Sequence, residues 1–289
     1  MYAGRDVTVV IPALNEAQSI ACVIEGLAEL RACPHCHQLI NTNNPTRKNL
    51  STDASQCPHM DCRAEIPVNP ANANSLVDRI IVCDNGSTDE TAARAADSGA
   101  IVAFEPERGY GAACLAALAV EVEKDIIVFV DGDHSVVSSE LPDIISPLLN
   151  GADLVIGSRT LGTTERGALS IPQRFGNVLA TFLISKLWSA NVTDLGPFRA
   201  TTEQTLQDLQ MSDRHFGWTV EMQVRALQEN KTIIEVPVST MKRIGKSKIS
   251  GTVRGVIGAG HGILGTIFKL YLLGAGQSSA TPKLRSGEN

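Results

Sequence analysis

Ile126-Ile127-Val128-Phe129-Val130-Asp131-Gly132-Asp133 is the stretch from which the rest of the chain can be read. Its apolar half is a short, largely β-branched run without alternation, the pattern of a strand buried on both faces. A strand covered on both faces belongs to a mostly parallel sheet flanked by helices. Two carboxylates follow it at once. In such sheets ligands bind beyond the carboxyl ends of the strands, so these positions carry the most functional weight.

The same pattern recurs on both sides of this stretch. Val7–Pro12, Arg79–Cys83, Ala100–Phe104 and Asp153–Gly157 read as further strands. Glu16–Leu30, Asp89–Ser98, Gly109–Glu123 and Leu141–Leu149 read as helices between them. The alternation implies right-handed crossovers and an α/β, Rossmann-like sheet. Pro12-Ala13-Leu14-Asn15-Glu16 follows the first strand, and Asp84-Asn85-Gly86-Ser87-Thr88-Asp89 follows the second. Acidic residues at three strand ends would converge on one rim. Asp131 and Asp133 can hold a hard divalent cation, which in turn holds a diphosphate. N-capping of the next helix is the alternative use of such a pair. Asp84 suits a nucleobase edge or a ribose, or serves as a plain turn carboxylate.

The 289 residues are 43% hydrophobic and 19% charged, a globular balance with room for one large or two modest domains. The net charge of −6 argues against a nucleic-acid partner. Only six residues precede the Val7 run, and that run is too short for a secretory signal, so a cytoplasmic setting is expected.

Three stretches break the rhythm. Residues 33–75 interrupt the first crossover and carry Cys33-Pro34-His35-Cys36 and Cys57-Pro58-His59-Met60-Asp61-Cys62. Two such pairs can give four thiolates to one structural zinc ion, with His35, His37 or His59 able to replace a thiolate. Unpaired thiols and disulfides are the alternatives. Cys22, Cys83 and Cys114 lie on apolar faces and are expected in the core. Residues 240–254 are basic, and Val256–Leu273 is nearly uncharged. That apolar segment is short and glycine-rich for a membrane-crossing helix. It is expected as an interfacial helix beside the basic stretch, or as one packed on the protein itself.

Taken together, several of these motifs resemble the family-2 glycosyltransferases, and within them the polyprenyl-phosphate (dolichol-phosphate) sugar transferases. The resemblance covers about residues 6–33 and 76–272. It rests on the Pro12–Glu16 and Asp84–Asp89 runs, Asp131-Gly132-Asp133, Gly157-Ser158-Arg159, Arg174-Phe175-Gly176-Asn177, Asp194 to Arg199, Phe216 to Glu221 and Arg243 to Ser250. It implies a GT-A fold, a nucleotide-diphosphate sugar donor, Mg²⁺ or Mn²⁺, inversion at the anomeric carbon and a polyprenyl-phosphate acceptor reached at the membrane surface. Carried over by motif, Pro12, Ala13, Asn15, Glu16 and Asp84 would line the donor pocket, with Asp131 and Asp133 on the metal. Arg159 would bind the acceptor phosphate, helped by Arg166 or Arg174, and Asp194 and Arg199 would brace that side. Glu221 falls where other members place a general base, although a phosphate acceptor needs little deprotonation. Arg243, Lys246 and Lys248 would close over the diphosphate, or attract the membrane surface. The family often has Gln where this chain has Ser135, and the Cys-rich insert is outside the common pattern.

The implied organisation is a catalytic domain over 1–250 interrupted by the insert at 33–75, an interfacial helical segment over 251–276 and a disordered tail over 277–289. A homo-oligomer stays open. Two rivals remain: a transferase acting on a soluble or saccharide hydroxyl, and a non-catalytic scaffold that binds a partner through the insert.

Overall fold

A computed structural model describes residues 2–32, 39–40, 75–245 and 253–275. The strands are β1 (Val7–Ala13), β2 (Arg31–Ala32), β3 (Leu39–Ile40), β4 (Arg79–Asp84), β5 (Ile101–Phe104), β6 (Ile126–Phe129), β7 (Leu154–Ser158), β8 (Arg199–Thr202) and β9 (Ile233–Pro237). The helices are α1 (Ile20–Ala28), α2 (Thr91–Asp97), α3 (Tyr110–Leu118), α4 (Leu141–Leu149), α5 (Ile171–Trp188), α6 (Glu203–Leu209), α7 (Trp218–Gln228) and α8 (Val253–Ala275).

Seven strands form one sheet in the order β5-β4-β1-β6-β8-β7-β9. The five strands expected from the sequence are all in it, and all run parallel. β8 lies antiparallel between β6 and β7, with Phe129 opposite Arg199 and Val155 opposite Ala200. β9 pairs parallel with β7 at the edge. β8 and β9 have no counterpart in the sequence reading, because Thr201-Thr202 and Glu235 interrupt their apolar pattern. β2 and β3 form a separate antiparallel pair at the start of the Cys-rich region. That region's base is closed where the Leu76 N–H donates to the Leu30 carbonyl at 3.1 Å, between two buried leucines.

Alternation along β1 explains the layering. Val7, Val9 and Ile11 pack against Ile20, Ile24, Leu141 and Ile144 of α1 and α4. Val10 faces the other way, with Cys114 and Ala117 of α3 and Trp218 and Met222 of α7. Each fully buried Val or Ile contributes roughly 1.5–3 kcal/mol through removal from water. A third apolar cluster joins α5, α7 and α8 through Ala180, Ile184, Val220, Val224 and Ile267. The apolar C-terminal segment is thus one helix, packed by one face onto the protein. Among the described residues no helix is long and apolar enough to cross a membrane.

Cys83 and Cys114 are core residues as expected, and burial raises both thiols, Cys83 to about 12. Cys22 is exposed, because Ile20, Val23, Ile24 and Leu27 form the inner face of α1 and Cys22 falls on the opposite side. The zinc ligands expected at Cys33, Cys36, Cys57 and Cys62 lie outside the described residues, as do Lys246, Lys248 and the tail.

Candidate active site

The chain leaves β1 for β4 on one side and returns to β6 on the other, which makes a crevice at their carboxyl ends. A cavity of about 390 Å³ opens there, lined by Pro12, Ala13 and Glu16 beyond β1 and by Asp131, Gly132 and Asp133 beyond β6. Arg243 closes one wall. Asn85, Arg108, Tyr110, Gln173, His215 and Phe216 are also in the lining. Asn85 and Phe216 belong to the Asp84–Asp89 and Phe216–Glu221 motifs without having been singled out within them, and Arg108, Tyr110, Gln173 and His215 lie outside every motif.

Two expected donor residues stand behind the cavity wall rather than in it. Asp84 is buried and its Oδ1 accepts the Ser87 N–H at 3.1 Å. Successive side chains alternate, so the next residue, Asn85, reaches the cavity instead. The Asn85 amide donates to the carbonyls of Glu105 and Glu107, and its Oδ1 accepts from the Gly109 N–H. This pins the 105–109 loop. Asn15 has φ +53°, donates its N–H to Ser87 Oγ and accepts the Thr88 N–H at 2.7 Å, tying the turn after β1 to the turn after β4.

The two carboxylates beyond β6 need a cation. Burial pushes the Asp131 carboxyl up to about 7, and the charge of Asp133 adds to the rise. Arg243, the Tyr110 hydrogen bond and Arg159 oppose it. Tyr110 donates its hydroxyl to Asp131 Oδ1 at 3.2 Å. Arg243 Nη2 lies 2.9 Å from Asp133 Oδ2, so a guanidinium answers the charge. It is delivered there by two backbone bonds, from Met241 N–H to the Ser135 carbonyl and from Ile244 N–H to the Asp133 carbonyl. Paired oxygen ligands at a strand end fit a hard divalent cation. Among the described residues no group of three or more His, Cys, Asp or Glu is placed to hold a metal.

The far wall depends on Glu221. Its carboxylate accepts from the Ser212 N–H and hydroxyl, the Asp213 N–H and Arg225 Nε. Burial alone would raise its pKa, but these hydrogen bonds and the Arg225 charge hold it below the ordinary carboxylate value. Glu221 lines none of the cavities beside the strand ends. The expectation of a general base is therefore at odds with its geometry: Glu221 clamps the 212–213 turn. That turn leads into 214–216, whose carbonyls at Arg214 and His215 accept the Ala112 and Gly111 N–H groups at the start of α3. A Cβ at Gly109 or Gly111 would sit 2.0 or 1.9 Å from the carbonyl oxygens of Arg214 and Asp213, so only glycine allows this approach. The free donors of α3 are thus used inside the protein, and His215 and Phe216 are held against the cavity.

The residues expected on the acceptor side begin one residue after β7. Asp194 takes the Arg159 side chain by two parallel bonds, Nε at 2.8 Å and Nη2 at 2.6 Å, and accepts the Arg159 N–H as well. Burial of Arg159 works against its charge, and Asp194 more than offsets this, so the guanidinium is held above its ordinary value. Asp194 is itself fixed by its neighbours: Glu235 accepts the Thr193 and Asp194 N–H groups, and Gln223 donates to the Asp194 carbonyl. Gly196 approaches the Gly157 carbonyl so closely that a Cβ would lie 2.2 Å away. Arg199 is wholly buried behind this loop, donating to the carbonyls of Gly196 and Thr219, and burial lowers its pKa to about 10. It braces the loop without lining a cavity.

Arg159, Asp194 and Arg174 line a cavity of about 380 Å³ with Thr160, Gln173 and Asn177. Arg166 is exposed and lines neither this cavity nor its neighbours. A third, mostly apolar cavity of about 420 Å³ runs between α5 and α8, lined by Pro172, Phe175, Leu179, Leu195, Ile263 and Leu264, with Arg159 and Tyr110 at its polar end. Gln173 lines all three cavities.

Against known proteins, the family described as Glycosyl transferase family 2 matches residues 69–208. An uncharacterized glycosyltransferase of Mycobacterium tuberculosis is 32% identical over 258 residues, 88% of this chain and 94% of the relative. The chain belongs to glycosyltransferase family 2. This glycosyltransferase is also 30% identical over 172 residues to a dolichyl-phosphate hexose transferase of Haloferax volcanii, covering 58% of this chain and 73% of that protein. Its fold matches that of M. tuberculosis glucosyl-3-phosphoglycerate synthase, solved with Mn²⁺, uridine diphosphate and glucosyl-3-phosphoglycerate, with a TM-score of 0.63 and 22% identity over 93% of this chain and 80% of that one. The last likeness speaks to the fold. The first two make the protein a glycosyl-transferring enzyme, and the scaffold alternative falls away.

Proposed function

We propose that this glycosyltransferase moves a hexose from a nucleotide-diphosphate sugar, UDP-glucose or GDP-mannose, to a polyprenyl phosphate, with inversion at the anomeric carbon. One observation carries the reading: an apolar cavity between two helices ends at a guanidinium, and Gln173 joins that end to the donor cavity. A hydrocarbon chain with a single anionic head has this distribution of chemistry. Arginine's planar fork suits phosphate oxygens, and Arg159 keeps Nη1 outside its bonds to Asp194. The dolichyl-phosphate relative supports the same acceptor class.

Asp131 and Asp133 would hold Mg²⁺ or Mn²⁺, which when bound supplies positive charge to a leaving diphosphate. Arg243 serves the same charge from the chain itself. A phosphate oxygen attacks the anomeric carbon as its bond to the diphosphate breaks, and the electron pair leaves with the diphosphate. The acceptor is already an anion, so no base is required. That agrees with the engagement of Glu221 elsewhere. The reading places the enzyme at the cytoplasmic face of a membrane, with 1–250 as the catalytic domain around the insert.

The test is transfer from a labelled nucleotide sugar into a short-chain polyprenyl phosphate in detergent. Arg159→Ala is expected to lower kcat/KM for the acceptor by about 10- to 100-fold, equivalent to roughly 1.4–2.7 kcal/mol. Donor binding should hardly change. Robust transfer to a soluble alcohol with none to any polyprenyl phosphate would overturn the lipid acceptor.

A further inference from the structure

The apolar surface of α5 is unexplained by the transfer reaction. Ile171, Phe175, Val178 and Phe182 recur at spacings of four, three and four residues, which puts them on one stripe of the helix. Their exposures are 83%, 69%, 65% and 56%. The opposite face of α5, at Ala180, Thr181 and Ile184, is buried. On α8, Phe268 and Leu272 form a second exposed pair, while Ile267 and Leu270 point inward.

The two helices lie side by side and run in the same direction. Leu179 and Ile263 share one cavity wall, and further along Trp188 meets the Tyr271 ring edge-on at 5.9 Å. α5 needs nothing external to form. Ser170 accepts the Gln173 N–H and Gln173 Oε1 accepts the Ser170 N–H, a complete capping box with Pro172 in the first turn. An exposed row of large apolar groups on a helix whose other face is already packed on the protein marks a docking surface.

We propose that this face, centred on α5, seats the enzyme on an anionic lipid bilayer. Charge selects the partner. The chain carries a net charge of −6, yet α5 and α8 contain no Asp or Glu, and Arg174, Lys186 and Lys269 are the charged residues with described side chains on them. Two copies of such a face would set cations against cations. A bilayer rich in anionic head groups accepts both the cations and the apolar stripe. Eighteen residues of α5 span roughly 27 Å at 1.5 Å per residue, enough to lie along the surface as a monotopic anchor. The apolar cavity between α5 and α8 then opens toward the lipid and ends at Arg159. The proposal deepens the lipid-acceptor reading and rests on it.

Ile171 and Phe182 lie at the ends of the stripe and line none of the cavities, so Ile171→Glu/Phe182→Glu leaves the reaction site intact. The full chain is sedimented with vesicles of equal phosphatidylglycerol and phosphatidylcholine, and thermal unfolding checks the variant's fold. Wild type is expected to partition onto these vesicles, and the variant at least about 10-fold less. Transfer to a water-soluble, short-chain polyprenyl phosphate should stay within about twofold of wild type. Absence of wild-type binding, or equal binding by the variant, would overturn the docking face. So would a wild-type dimer that the variant dissociates while vesicle binding is unchanged. Stripe-dependent vesicle binding without transfer to any polyprenyl phosphate would keep the docking face and remove the acceptor assignment instead.

Discussion

On the side of the cleft we assign to the donor, most of the lining residues sit at a strand end or within four positions of one: Pro12 and Ala13 close β1, Asn85 follows β4, and Asp131 and Asp133 come shortly after β6. On the side we assign to the acceptor, Arg159 also follows its strand directly, but its pose is set by Asp194, which is held in turn by Glu235 and Gln223. The donor carboxylates carry charge that the fold leaves incompletely answered. The acceptor charges answer one another before any ligand arrives. One side thus stores electrostatic demand for ligands, while the other doubles as scaffold. Substitutions on the two sides should therefore fail in different currencies: rate on the donor side, and stability together with acceptor affinity on the other.

The sharpest break of this contrast is Asp133→Ala. It is expected to lower transfer by at least about 10³-fold, near 4 kcal/mol at 1.36 kcal/mol per decade, with an unchanged circular-dichroism spectrum. Activity within tenfold of wild type in chelated and Mn²⁺-replenished assays would show that the cation is held elsewhere. On the proposed acceptor side, Asp194→Asn leaves a half-buried guanidinium without its buried anion. Breaking such a pair costs about 3 kcal/mol, which lowers Tm by roughly 6–12 °C, and the acceptor KM should rise as well. An unchanged Tm would erase the difference between the two sides.

Asp131→Asn should do the reverse of Asp194→Asn. The folded Asp131 carboxyl is raised to about 7, against an unfolded value near 3.9. Ionisation therefore penalises the folded state as pH rises from about 4 to 7, and the penalty is full above 7. In chelator the variant is expected to melt several degrees higher than wild type at pH 8, with the gain fading toward pH 4, while transfer is lost. A gain independent of pH would point to packing. The smallest effect is expected at Glu221→Gln: transfer within about fivefold of wild type, and a stability loss of about 1 kcal/mol from a weakened clamp on the 212–213 turn. Abolished transfer with normal stability would restore Glu221 as a base.

The same contrast explains how much the sequence disclosed. Uniform apolar runs followed by polar turns made β1, β4, β5, β6 and β7 legible, and with them Pro12, Ala13, Glu16, Asp131 and Asp133. The resemblance points to Asp84 in the donor pocket, whereas side-chain alternation turns its neighbour Asn85 toward the cavity. β8 and β9 escaped notice since Arg199-Ala200-Thr201-Thr202 gains its strand character only from the partners on either side. Tyr110, Gln173 and His215 are brought to the cleft by tertiary contacts alone, such as the glycine-permitted approach of the 213–215 carbonyls to α3. No local spacing announces these.

The bond between Leu76 and Leu30 has a consequence for how this enzyme changed over time. It closes the base of a 45-residue stretch of sequence, 31 to 75. Loop-closure entropy grows only logarithmically, so lengthening such a connection from about 10 to 45 residues costs about 1.3 kcal/mol. The sheet is nearly indifferent to what hangs there. A lineage can graft, exchange or excise a module at this point without re-solving the packing of β1 against β4, which makes the base of the stretch a natural seam for recombination.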